Sequence, residues 1–61
     1  MPKTYIVYLP TGDIFIKADG YIKFEEYNKE VVFYIIDDVG LTVPIAQFNR
    51  NIIYGWSEYN A

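Results

Sequence analysis

The chain contains no cysteine and no histidine. The first absence excludes disulfides and thiol nucleophiles, and the second removes the commonest general base. Together they leave a structural zinc ion without its usual ligands. Long apolar runs are missing too. None approaches the ~18 residues of a membrane span. The opening MPKTYIVYLP lacks the extended apolar stretch and small-residue cleavage site of a secretory signal, so the expectation is a cytoplasmic protein. Cations are scarce. Five Lys and Arg stand against eight Asp and Glu, a net charge of −3, which argues against general nucleic-acid binding. The four glycines are scattered at positions 12, 20, 40 and 55, so there is no phosphate-binding loop of the GxGxxG or P-loop kind.

What remains is a short, apolar and aromatic chain. Sixty-one residues make one domain at most, and a domain of that size buries only ~60% of its unfolded surface. Small natural domains usually add a disulfide, a metal or a second subunit. With the first two removed, tight packing and self-association are left. Hydrophobic residues make up 52% of the chain and aromatics 20%, with seven Tyr, four Phe and one Trp, far too many for a disordered peptide.

β-Branched and aromatic residues recur between closely spaced turn signals, which predicts an antiparallel all-β meander. The first strand covers residues 3–9 (KTYIVYL) and ends at PTGD, where Pro10 and Gly12 suit a hairpin. The second covers 13–18. A break at Asp19-Gly20 precedes a third at 21–27 (YIKFEEY), and Asn28-Lys29-Glu30 turns the chain into a fourth at 31–37. Asp38-Val39-Gly40 leads to a fifth run, 41–48 (LTVPIAQF), in which Pro44 marks an edge, a bulge or a break because it has no N–H to donate. After Asn49-Arg50-Asn51 comes a last strand at 52–56 (IIYGW), with 57–61 expected to fray. Five or six short strands in one small domain suggest a strongly bent sheet or a partly open SH3-like barrel.

Catalytic constellations are not apparent, and the expectation is a protein that is not an enzyme and carries no cofactor or metal. Glu25 and Glu26 are strand neighbours and point to opposite faces. Asp37-Asp38 sit at a turn, where Asp commonly bonds its own backbone. Ser57 has no base in view.

The most informative segment is VVFYII, residues 31–36. A strand with one wet face alternates, and this one does not. Val31, Phe33 and Ile35 make one adequate core face, and Val32, Tyr34 and Ile36 another. Glu30 and Asp37-Asp38 flank the run like gatekeepers against aggregation. The first and last runs carry a second apolar face as well. This surplus points to a non-enzymatic interaction module that self-associates, most simply as a homodimer, and binds a macromolecular partner. Phe33, Ile35, Tyr54, Trp56 and Tyr5 are the candidate interface residues. Small acidic chains without motifs are common among phage and mobile-element accessory proteins, so inhibition of a host defence or regulatory factor is the corresponding biological expectation. Two alternatives stand beside it. One is a single-stranded nucleic-acid binder using Tyr21, Lys23 and Tyr27, with Lys17 on the same face if the register allows. The other is a small-ligand binder with an aromatic pocket at a dimer interface.

Overall fold

The computed structural model describes residues 2–26 and 29–59. Within them the chain forms six strands: β1 (Lys3–Tyr8), β2 (Ile14–Ala18), β3 (Gly20–Lys23), β4 (Glu30–Ile36), β5 (Thr42–Asn49) and β6 (Gly55–Tyr59). There is no helix among the described residues, hence none long and apolar enough to cross a membrane. The strands make two antiparallel three-stranded sheets, ordered β2-β1-β6 and β3-β4-β5, which do not close into a barrel. The all-β expectation therefore holds, in its open, bent form.

One residue, Asp19, separates β2 from β3 and carries the chain from the first sheet to the second. Its placement is fixed from β4. The Asp19 N–H donates to the Tyr34 carbonyl at 2.8 Å, and the Asp19 carboxylate accepts from the Ile36 N–H at 2.6 Å. Gly20 faces Tyr34 across the ladder, and the Tyr34 ring lies over it. A Cβ at Gly20 would stand 2.6 Å from the Tyr34 hydroxyl, so a side chain there would push the Tyr34 ring from its place over the strand.

That pairing decides the orientation of VVFYII. With Tyr34 turned outward over Gly20, Val31 and Phe33 turn inward, and both are fully buried. Val32 and Tyr34 are half-buried on the outer face, and Ile36 is exposed. Val31 and Phe33 meet Tyr5, Val7 and Ala18 from the other sheet, with Ile53 closing one side. Both sheets thus share one core. A chain of rings runs through it: Tyr5 to Phe33 at 5.3 Å, Phe33 to Phe48 at 6.1 Å, and Tyr21 to Phe33 at 5.8 Å between centroids. Their tilted and edge-on geometries are those that aromatic quadrupoles favour.

The turns follow from local chemistry. The Asp37 carboxylate accepts from the N–H groups of Val39 and Leu41 at 3.0 and 2.8 Å, and Gly40 takes φ 87°, the left-handed conformation expected of it. Pro44 lies in β5, which has no partner on its outer side, and beside a register shift that falls between Phe33 and Tyr34 on β4. Two of the anticipated roles of Pro44, edge and bulge, therefore coincide.

Two strands differ from expectation by more than one residue. The third strand ends at Lys23, not at residue 27; Tyr27 itself lies outside the described residues. The last strand starts at Gly55, three residues later than expected. Residues 52–54 are turn and loop, with the Ile52 N–H donating to the Asn49 carbonyl at 3.1 Å. Residues 57–59 do not fray. They pair with β1 in the register Tyr5↔Glu58, Ile6↔Ser57 and Val7↔Trp56, because that ladder places Trp56 over the core and aligns the Tyr8 hydroxyl with Ser57 Oγ at 2.7 Å. Residues 60–61 lie outside the described residues.

Candidate ligand-binding cleft

The interface residues expected from sequence do not share a surface. Phe33 and Tyr5, 0% and 4% exposed, are core residues and present nothing to a second chain. Both alternated correctly with their neighbours, but strand pairing turned them inward. Ile35 is half-buried near the turn end of the β4–β5 ladder, paired with Val43. Tyr54 and Trp56 stand together at the start of β6, and Tyr54 is the most exposed large hydrophobic residue among those described, at 79%.

Tyr54 and Trp56 line a cleft of about 390 Å³ together with Tyr21, Lys23, Lys29, Arg50, Asn51, Ile53 and Gly55. The cleft therefore joins residues from two separate sequence expectations. Tyr21 and Lys23 come from the nucleic-acid alternative, and Tyr54 and Trp56 from the interface. Lys17, considered as a companion to Lys23, is on the other sheet, opposite Thr4 on β1.

Each wall has a local cause. Ile53 is buried and pegs the loop after β5 into the core. Its neighbour Tyr54 then points away, while its own N–H donates to the Tyr8 carbonyl at 2.8 Å and begins the path of β6. Asn49 Oδ1 accepts from the Asn51 N–H at 2.9 Å, shaping the turn that carries Arg50. The Arg50 N–H donates to the Lys29 carbonyl at 2.8 Å, which brings two distant turns side by side. On the opposite wall, Tyr21 is half out of the core. Its ring meets Tyr5 at 5.7 Å and Trp56 at 5.4 Å, both nearly edge-on.

The electrostatics are unusual for an acidic protein. Three of the chain's five cations, Lys23, Lys29 and Arg50, line this one cleft, and no carboxylate does. Arg50 is held in place: its guanidinium donates to the Phe24 carbonyl at 2.9 Å and stands 3.5 Å from Glu25. Glu25 lies 3.2 Å from Lys23 as well. The Lys23 hydrogen bond, followed by the charges of Arg50 and Lys23, holds the Glu25 carboxyl below the usual glutamate range. Lys29 makes no ion pair among the described residues. The rim thus carries three positive charges against one shared counter-charge.

Among the described residues no group of acidic side chains could hold a metal ion, and the carboxylate of Asp37 is engaged by its own turn. What the cleft can do chemically is bind: cations for an anionic group, open aromatic surface for a flat one, and an Asn51 side chain able to donate and accept.

A second feature is the far end of the β4–β5 hairpin, where Ile36, Val39, Leu41, Val43 and Ile45 are all exposed. Sequence reading placed the surplus apolar surface on the second faces of the first, fourth and last strands. The structure places part of it at this tip and along the unpaired edge, and part elsewhere, as at Phe15 and Ile52. Compared with known proteins, the chain matches no family model, no curated protein and no solved structure.

Proposed function

We propose that this protein is a non-enzymatic binding module that engages a segment of a macromolecular partner through the cleft between β3 and the start of β6. One observation carries the reading: three of five cations converge with three aromatic rings around a single concavity in a chain of net charge −3. Chance scatter on an acidic surface does not favour such a cluster, and the core does not require it, since the cations are held at the rim. The volume, about 390 Å³, falls at the small end of ligand pockets, ~300–1,000 Å³, and suits one projecting group of a partner. The test compares affinity capture from a lysate by wild type, Tyr54→Ala and Lys29→Glu, with Lys17→Glu as a charge control. The two cleft variants should lose a partner that the control retains. Equal capture by all four would defeat the proposal.

The hairpin tip favours a second reading, self-association. Isolated exposed apolar residues are ordinary, but Ile36, Val39, Leu41, Val43 and Ile45 are exposed along one hairpin, with Ile36 and Val43 on opposite faces of its ladder, and the tip residues Val39 and Leu41 are the surface that a second copy would cover. Light scattering across a dilution series should show a dimer that Leu41→Asp dissociates. A wild-type monomer at micromolar concentration would sink this reading and leave the cleft untouched.

A further inference from the structure

We propose that the group taken by the cleft is a nucleotide unit, with its phosphate on the Lys23, Lys29 and Arg50 rim and its base against Tyr54 and Trp56. The inference rests on the binding-module reading above and gives that same cleft a ligand class.

Three observations select this chemistry. The first is the lining. Besides the cations it holds, among the described residues, three aromatic residues and one amide, and only one aliphatic side chain, Ile53, which is itself buried. A hydrophobic peptide anchor would find little aliphatic wall, whereas a flat base meets ring surface, with Tyr54 almost wholly open to receive it. The second is pre-organisation. Arg50 is tied by its backbone to Lys29 and by one guanidinium nitrogen to the Phe24 carbonyl. Its remaining N–H groups form a fixed fork, the geometry that suits phosphate oxygens. The third is the charge balance. Glu25 neutralises part of Lys23 and Arg50, while Lys29 has no such partner among the described residues, so the rim keeps a net positive charge. That charge fits one or two phosphates and is too small for a long duplex backbone, which agrees with an acidic protein overall.

The nucleotide unit could be free or part of a single strand, and titration separates the two. Quenching of Trp56, the only tryptophan, is followed with a short oligothymidylate, with thymidine and adenosine monophosphates, and with inorganic phosphate. Binding is expected with either nucleotide probe. Tighter binding of the oligothymidylate assigns the site to single strands, and equal affinity per unit assigns it to free nucleotides. For the oligothymidylate, three rim cations predict a slope of about −2 in log affinity against log salt, from about −0.7 per phosphate neutralised on a single strand. Tyr54→Ala should weaken binding by about tenfold through lost stacking. Lys29→Glu should weaken it further and flatten the salt slope, and Lys17→Glu should leave it unchanged. Tyr54 and Lys29 are exposed, so both variants should fold, and unchanged urea midpoints would verify that. The proposal is overturned if neither nucleotide probe quenches Trp56 at low salt, or if quenching survives in both cleft variants. A protein that ignores nucleotides but still loses its lysate partner on Tyr54→Ala would keep the binding-module reading and discard the nucleotide.

Discussion

The sharpest test of the architecture compares two strand phenylalanines, one on a face shared with Asp13 and Lys17 and one on a face shared with Val31 and Ile35. Phe15 and Phe33 both lie in strands beside apolar neighbours, yet Phe15 is 61% exposed and Phe33 is fully buried. Phe33 touches Tyr5, Tyr21 and Phe48, so its ring joins both sheets. Truncating such a ring to alanine costs about 3–5 kcal/mol, transfer and cavity together. A 61-residue domain has a total stability of only about 3–9 kcal/mol, from about 0.05–0.15 kcal/mol per residue. Phe33→Ala should therefore remove most or all of the margin and leave the protein unfolded or nearly so at room temperature. Phe33→Leu keeps much of the volume and should cost about 1–2 kcal/mol, leaving a measurable transition. Phe15→Ala loses an edge-to-face contact with Tyr59, centroids 5.3 Å apart, and should cost about 1 kcal/mol at most. Urea unfolding followed by Trp56 fluorescence gives midpoints for wild type, Phe33→Leu and Phe15→Ala, and Phe33→Ala is expected to show little or no transition. If Phe33→Ala and Phe15→Ala fall within about 0.5 kcal/mol of each other, the inward orientation of Phe33 is wrong, and with it the register Tyr21↔Phe33.

Further outcomes are expected from single side chains. Asp37→Ala removes an acceptor from the N–H groups of Val39 and Leu41 and should destabilise the hairpin by about 1–2 kcal/mol, read as a lower urea midpoint; Asp37→Asn, which keeps one acceptor oxygen, should recover part of the loss. Gly40→Ala forces a Cβ into φ 87° and should cost about 1 kcal/mol, although open space surrounds the site, so an unchanged midpoint would contradict the turn geometry. Burial pushes the Tyr5 hydroxyl above the ordinary tyrosine range. A raised folded-state value means that its contribution is complete below the unfolded pKa and is lost as pH climbs through the folded one, so stability should decline in strong alkali and Tyr5→Phe should soften that decline. Glu25 is the opposite case. Its value is depressed by Lys23 first and then Arg50, so the pairing persists above the ordinary glutamate range and disappears as pH falls through the depressed value. Oligothymidylate affinity should accordingly rise in acid as Lys23 and Arg50 are released, and Glu25→Gln should bind more tightly at neutral pH and lack that part of the rise.

How much of this fold could be read from the chain depends on whether the deciding contact was local. The strand content, the PTGD hairpin, the Asp37 turn with Gly40 and the placement of Pro44 all follow from short-range rules, and all are present. The face of VVFYII was not local information. Val31/Phe33/Ile35 and Val32/Tyr34/Ile36 are equivalent by composition, and the choice lies in a pairing across 14 residues of sequence, where the Tyr34 ring lies over Gly20. The last strand was misplaced for a related reason. Ile52-Ile53-Tyr54 has the composition of a strand, yet Ile53 serves as a peg for a loop. The polar SEY that follows is drawn into β6 by the β1 ladder, where only Trp56 needs the core. Hydrophobicity marks which residues seek burial, and in so short a chain a loop can satisfy that demand as well as a strand.

The cleft was less legible than the fold, and its construction explains why. Tyr21 and Lys23 were visible as an aromatic beside a cation, and Tyr54 and Trp56 as aromatics seeking cover, but they were assigned to competing expectations. Lys29, Arg50 and Asn51 sit in turns, where solvated polar residues are ordinary and carry no signal individually. They become a site only because the Arg50 N–H reaches the Lys29 carbonyl and Ile53 anchors the following loop, so that two turns and a strand end face one another. The same construction separates function from stability. The rings that hold the sheets together, Tyr5, Phe33 and Phe48, lie behind Tyr21, while Tyr54, Lys29 and Arg50 stand at the rim on turn backbone. Tyr21 is the one residue in both groups, touching Phe33 on one side and Trp56 on the other. Substitutions at the exposed Tyr54 and Lys29 should therefore change binding without moving the unfolding midpoint, the mild Phe33→Leu should do the reverse, and Tyr21→Ser should change both.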